Sequence, residues 1–229
     1  MTKRILIIFF IIQLLFLTGK TYAVPCYGTR MPQKGEYFGG FQTHVIFERE
    51  LEDGFGTARS RQHFFQLSYG VFDWLSIDLK GGAGNIKQHP IGSTEIDYPS
   101  SFAGGYGFRI RILNQEKIKA VFGFQHISVH PRSVRLDGER NQAVLDDWQT
   151  SLLASYEFSK ITPYIGAKFS RVDYIHWVDG NRKRRMSDLT KTIGLVCGFD
   201  LDLTEKTWLN LEGQFFDGEA ASISFNFKF

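Results

Sequence analysis

Within Phe122-Gly123-Phe124-Gln125-His126-Ile127-Ser128 a histidine and a serine stand two residues apart. In an extended chain that spacing puts both side chains on one face. An imidazole beside a hydroxyl is the smallest arrangement for nucleophilic acyl transfer, the nitrogen taking the proton as the oxygen attacks. Asp146 or Glu139 could orient the ring from a neighbouring segment. Two polar residues at the end of an apolar strand also occur with no chemistry attached, and the spacing leaves both readings open.

A second set is defined by charge. Asp78, Lys80, Arg109, Arg111, Lys119, Glu157, Lys168, Asp200, Asp202 and Glu212 fall one by one on the polar side of alternating segments, with glycine and serine between them. Facing one another in a narrow interior, opposite charges must pair and would fill it; the alternative is a narrow polar path for ions or small solutes. Arg182-Lys183-Arg184-Arg185 is the one dense cationic run, and it suits phosphate groups. The net charge of +3 is otherwise spread through both signs, which gives nucleic-acid binding no support. Asp53, Glu95, Asp97, Asp137 and His89 lack metal-ligand spacing, so no metal and no cofactor are expected. Two cysteines, Cys26 and Cys197, are too few for a disulfide framework.

The elements that must carry these residues alternate with period two. Ten such segments run at about 37–48, 60–71, 74–83, 101–113, 117–128, 147–158, 162–173, 189–203, 207–216 and from there to the end of the chain. The links at 72–73, 114–116, 159–160 and 204–206 are tight turns, whereas 49–59, 84–100, 129–146 and 174–188 are long and charged. Only 217–219 breaks that rule by being short. Short and long links therefore alternate over the first eight strands, as in an up-and-down barrel with two unlike rims.

The apolar face is uniformly large and aromatic, where a soluble barrel would alternate large and small residues to fill its taper. Phe is present 22 times against 6 Pro, a composition suited to strands in contact with lipid. Tyr69, Trp74, Tyr156, Phe158, Trp208, Phe227 and Phe229 lie beside the short turns, with Trp148 and Trp177 toward the long links, as two interfacial belts would require. The expected fold class is an all-β transmembrane up-and-down antiparallel β-barrel of about ten strands, with eight or twelve as alternatives. A soluble sandwich or lipocalin-like barrel is the competing reading.

Ahead of the barrel, Lys3-Arg4 precede an apolar run and then Lys20-Thr21-Tyr22-Ala23, the pattern of a cleaved secretory signal peptide over 1–23. Residues 24–36 then read as a periplasmic N-terminal segment and 37–229 as the barrel.

The signal segment, the alternating strands and the closing Ser224-Phe225-Asn226-Phe227-Lys228-Phe229 resemble small bacterial outer-membrane β-barrel proteins. That resemblance implies the outer membrane of a Gram-negative cell, lipid and lipopolysaccharide around the barrel, and a monomer. It also implies that Phe225, Phe227 and Phe229 form the signal read by the barrel assembly machinery. Arg182, Lys183, Arg184 and Arg185 would then meet lipopolysaccharide phosphates, and the role expected first is structural, adhesive or loop-mediated binding around a largely plugged, charged lumen. The Phe-x-His-x-Ser spacing is similar to that of outer-membrane lipid A deacylases, which would make His126 and Ser128 an acyl-ester hydrolase pair facing lipid. The sequence departs from that family at Val129-His130-Pro131, where an asparagine would be expected, and in having ten strands for eight.

Overall fold

The computed structural model describes residues 26–229; the expected signal peptide lies outside the described residues. Twelve strands form among them: β1 Tyr37–Glu50, β2 Thr57–Phe72, β3 Leu75–His89, β4 Ile96–Gln115, β5 Ile118–Val129, β6 Val134–Leu136, β7 Glu139–Tyr156, β8 Ile161–Val178, β9 Asn181–Met186, β10 Ile193–Asp202, β11 Thr207–Phe215 and β12 Glu219–Lys228. All but β6 and β9 close one antiparallel barrel, in which β7 pairs with β8 and the last strand pairs with the first. The ten-stranded reading is therefore correct, and among the described residues the barrel closes on itself, leaving free edges only on β6 and β9.

Side-chain alternation decides which face looks inward. Phe41, Phe65, Leu79, Phe102, Leu152, Ile165 and Ile223 are exposed outside, while Gln42, Ser68, Asp78, Gln149, Lys168, Ser222 and Asn226 are buried inside. In the closing strand Phe225 and Phe229 stay outside and Ser222, Ser224 and Asn226 turn in, against β1 from Phe38↔Lys228 to Glu48↔Glu219.

Strand lengths are unequal, and this shapes the outer end. β10, β11 and β12 have 10, 9 and 10 residues, close to the 9–11 or so that a tilted membrane strand needs. β4, β7 and β8 have 20, 18 and 18, and so rise well past the others at the long-loop rim. Above the short hairpins the wall is completed differently. β9 folds back on β8, and the segment after it reaches β1 through a Leu51↔Ser187 bridge and a Glu52 N–H bond to the Met186 carbonyl, 2.8 Å. Two of the long links expected to be loops are thus β-ribbons, β6–β7 and β8–β9.

The raised wall encloses an apolar core of its own. Ile46, Phe64, Ile86, Tyr98, Ile127, Leu145, Val172 and Tyr174 pack there, and the Tyr174 hydroxyl donates to that of Tyr98 at 3.3 Å. Inward faces are thus polar through the middle of the barrel, while its outer end adds this apolar cluster to buried polar side chains such as Ser60, Gln62 and Gln88.

The opposite end is filled by the chain itself. The segment read as periplasmic, 24–36, enters the barrel over its described part: Cys26, Thr29 and Met31 are buried at 3, 1 and 4% exposure. The physical reason is a set of barrel groups that satisfy its backbone. Arg109 donates to the carbonyls of Arg30 at 2.5 Å and Tyr27 at 3.4 Å, Arg111 donates to that of Met31 at 3.1 Å, and the Cys26 N–H donates to Glu212 at 2.6 Å. Gly28, at φ +68°, makes the bend that threads this strap between Asn210 and Tyr164.

Candidate functional site

The interior charges occur as three linked groups. In the first, Asp78 on β3 accepts two bonds from Arg109 on β4, at 2.9 and 2.6 Å, and one from the Ser68 hydroxyl at 2.5 Å. That fork fixes the Arg109 guanidinium so that its remaining N–H groups face the strap. Lys80 completes the group, its ammonium 3.9 Å from the Tyr27 ring centroid. The second group sits toward the short-turn rim. Arg30 of the strap pairs with Asp202 at 2.6 Å and stacks on Trp208, while Asn210 bridges to Asp200 at 2.9 Å. Trp208 is 6% exposed and points inward, which corrects its assignment to the outer aromatic belt. It shares the inward parity of Asn210, Glu212 and Gln214.

The third group contains residues that alternation alone did not single out. Asp217, in the short turn between β11 and β12, lies inside the barrel, where Arg49 reaches it at 3.1 Å, Lys168 at 2.8 Å and the Ser170 hydroxyl at 2.6 Å. Arg49 also donates to the Ser187 hydroxyl at 3.0 Å, so one cation ties β1 to β8, to the β9 link and to the last hairpin. The Lys168 and Asp217 side chains are both 0% exposed. Gly194 makes room for the carboxyl, since a Cβ there would lie 2.7 Å from the Asp217 Cγ. Arg49 sits past the β1 bulge, where the simple alternation of the strand breaks, and this is why it was missed.

Lys119 and Glu157 pair at 2.7 Å, but on the short-turn rim and half open to solvent rather than within the lumen. Lys119 holds the Glu157 carboxyl below its ordinary range. An exposed pair of this kind contributes about 0–1 kcal/mol.

On the outside of the barrel, His126 and Ser128 share one face near the long-loop rim, as their spacing required, and Asp146 of β7 joins them there. His126 stacks on Trp148 with centroids 4.0 Å apart and lies 5.4 Å from Tyr106. The Ser128 hydroxyl is bonded to Asp146 and stands 2.7 Å from Nε2 of His130. His126 is 3.7 Å from Asp146, and its Nε2 bonds to no described residue. The carboxylate thus holds the serine and not the back of an imidazole, and the ring at the hydroxyl is His130, which the sequence reading did not choose. Glu139 starts β7, seven residues before Asp146 and far along the strand from Ser128.

The basic run forms β9 and not a loop. Arg184 pairs with Asp173, Arg185 lies 4.0 Å from the Phe55 ring centroid and 3.5 Å from Asp53, and Arg182 lies 5.9 Å from the Trp177 ring. Alternation along the ribbon divides the four cations between its two faces.

One observation decides the class: among the described residues, the barrel turns its large apolar and aromatic side chains outward and buries ion pairs within, the reverse of a soluble barrel. The protein is a membrane barrel of the outer-membrane type. Placed in the bacterial outer membrane, the barrel has its apolar band in lipid. No family model matches the chain, and no curated protein matches it. Solved structures do. An outer membrane channel from Pseudomonas putida F1 aligns at 10% identity over 90% of this chain and 100% of its own, with a TM-score of 0.48. Ail, the attachment invasion locus protein of Yersinia pestis, aligns at 8% identity over 86% and 100%, TM-score 0.43. The transport unit of the autotransporter AIDA-I from Escherichia coli aligns at 13% identity over 90% and 93%, TM-score 0.46. Likenesses at these values bear on neither substrate nor role.

Proposed function

We propose that this outer-membrane barrel is a sealed anchor that presents its raised outer wall for binding at the cell surface. The observation that carries the reading is closure at both ends: the N-terminal strap fills the inner half, and the apolar core fills the outer end. Beside the strap, voids lined by Cys26, Tyr27 and Arg109 measure about 10 and 20 Å³, room for roughly one water each. What is left for function is the wall itself, held stiff by continuous pairing up to β6 and β9. Planar-bilayer recordings of the purified barrel are expected to show no conductance steps. Removal of residues 26–32 is expected to leave them absent, because the outer core still blocks the path. Discrete steps from the intact protein would overturn the sealed reading.

A second reading is favoured by Ser128. Its hydroxyl is in reach of both an imidazole and a carboxylate, on a lipid-facing surface with His126 and Trp148 beside it. An acyl ester reaching this point would be attacked at its carbonyl carbon by the serine oxygen as the hydroxyl proton passes to His130; the ester C–O bond then breaks, the departing alcohol oxygen takes that proton, and water releases the acyl group from the serine as a free acid. Mass spectra of outer-leaflet lipids from cells carrying Ser128→Ala should then show one more acyl chain than those carrying the native protein. Identical spectra would remove this reading and leave the first intact.

A further inference from the structure

One cation of the outer surface without a carboxylate partner among the described residues lies away from the basic ribbon, on β2. Beyond the apolar band the outward side chains of β2 change to His63, Arg61 and Arg59, and those of β3 to Asn85 and Lys87. With Val45 and Phe47 of β1 and Pro99 of β4 they line a groove of about 630 Å³ on the outside of the barrel. Two register shifts frame it, one in β1 between Ile46 and Arg49 and one opposite β3 between Gly84 and Ile86. Each bends its strand, so that β2 and β3 form the floor of a concavity instead of a flat wall.

Charge is unequal within it. Arg59 pairs with Glu95, and Lys87 pairs with Asp97 at 2.5 Å and Glu95 at 3.7 Å. Arg61 has no carboxylate partner among the described residues; its backbone N–H is held by the Asn85 side chain at 2.7 Å, which fixes the residue at the centre of the groove. Three cations thus meet two carboxylates. Directly toward the band lie the exposed rings of Phe41 and Phe65. A cationic hollow that opens onto apolar surface complements a molecule with an anionic head and acyl tails, and a free anion would leave the apolar part unused.

We infer that this groove binds the phosphorylated headgroup of an outer-leaflet glycolipid, with the phosphate on Arg61 flanked by Arg59 and Lys87 and the acyl chains running from Val45 down onto Phe41 and Phe65. The site is separate from the 182–185 ribbon, whose cations are partly engaged by Asp173 and Asp53.

The test uses the full barrel in detergent, with bisphosphorylated lipid A and its dephosphorylated form as probes and native mass spectrometry as the readout. The native protein should retain the phosphorylated form and lose the other. Arg61→Glu should weaken retention about tenfold or more, the scale of one charge-assisted bond lost, while Arg61→Lys keeps most of it. Arg182→Glu should change nothing. Equal retention of both probes would overturn the assignment, as would full retention by Arg61→Glu or a loss that follows Arg182→Glu instead. The heat-dependent shift of the folded band on gels confirms that each variant is a closed barrel.

Discussion

Asp217→Ala is expected to lower the unfolding free energy of the barrel by about 3–5 kcal/mol, the cost of leaving a buried charge without its partner. Here two cations are orphaned at once, because Arg49 and Lys168 both rely on this carboxylate and neither reaches water. The size of the effect follows from geometry. The Asp217 carboxylate is within 2.6–3.1 Å of the Ser170 hydroxyl and both cations, so its removal takes away the attraction while the desolvation of Arg49 and Lys168 remains. Urea unfolding in micelles, followed by tryptophan fluorescence, should show the midpoint falling with little change in slope. Asp217→Asn keeps the shape and an acceptor and should lose less. A midpoint unmoved by Asp217→Ala would mean that Arg49 and Lys168 find water or another acceptor, and the hub would have to be given up.

Tyr174→Ala should cost a similar amount, about 3–5 kcal/mol for a large aromatic taken out of a packed core, but in a different place. Tyr174 and Tyr98 are both 0% exposed and meet at the centre of the outer core. The membrane band touches that packing only at its upper edge, through Phe64, so the loss should appear as local opening of the raised wall. Limited proteolysis is expected to cut the variant in the β6 and β9 ribbons while the remaining band keeps its heat-dependent gel shift. Loss of that shift together with the ribbons would show that the wall and the band unfold as one unit.

Much of this fold was legible because a barrel strand repeats one simple rule. Leu75, Ile77 and Leu79 outside against Ser76, Asp78 and Lys80 inside is a pattern that needs no structure to read. The closing strand, with Phe225 outside and Ser224 inside, announced its pairing with β1 in the same way. Three features escaped for physical reasons. The strap 26–36 has no period, since its backbone is satisfied by arginine and glutamate side chains and not by a strand ladder. The outer core hides in places where both faces look alike: along Thr57-Ala58-Arg59-Ser60-Arg61-Gln62-His63 only Ala58 marks the inside as apolar. Asp217 looked like any turn aspartate, because nothing in Asp217-Gly218-Glu219 says that the turn folds inward.

Of the candidate site, the shared face of His126 and Ser128 was legible from parity. The choice of imidazole was not. His130 lies just beyond β5, where the chain leaves the ladder and parity ceases to predict direction.

The seam between β1 and β12 gives the Arg49–Asp217 pair a further meaning. Sliding β12 by one residue would turn Phe225 inward and is forbidden by the alternation. Sliding it by two would keep every phenylalanine in lipid and every serine in the lumen, so hydrophobicity cannot detect that error. The pair can, because such a slip carries Asp217 about 7 Å along the barrel wall and out of reach of Arg49. At the other end of the same strand Lys228 would leave Glu36. The two charge pairs therefore act as a vernier on the closing seam: they measure register where greasy side chains only measure side.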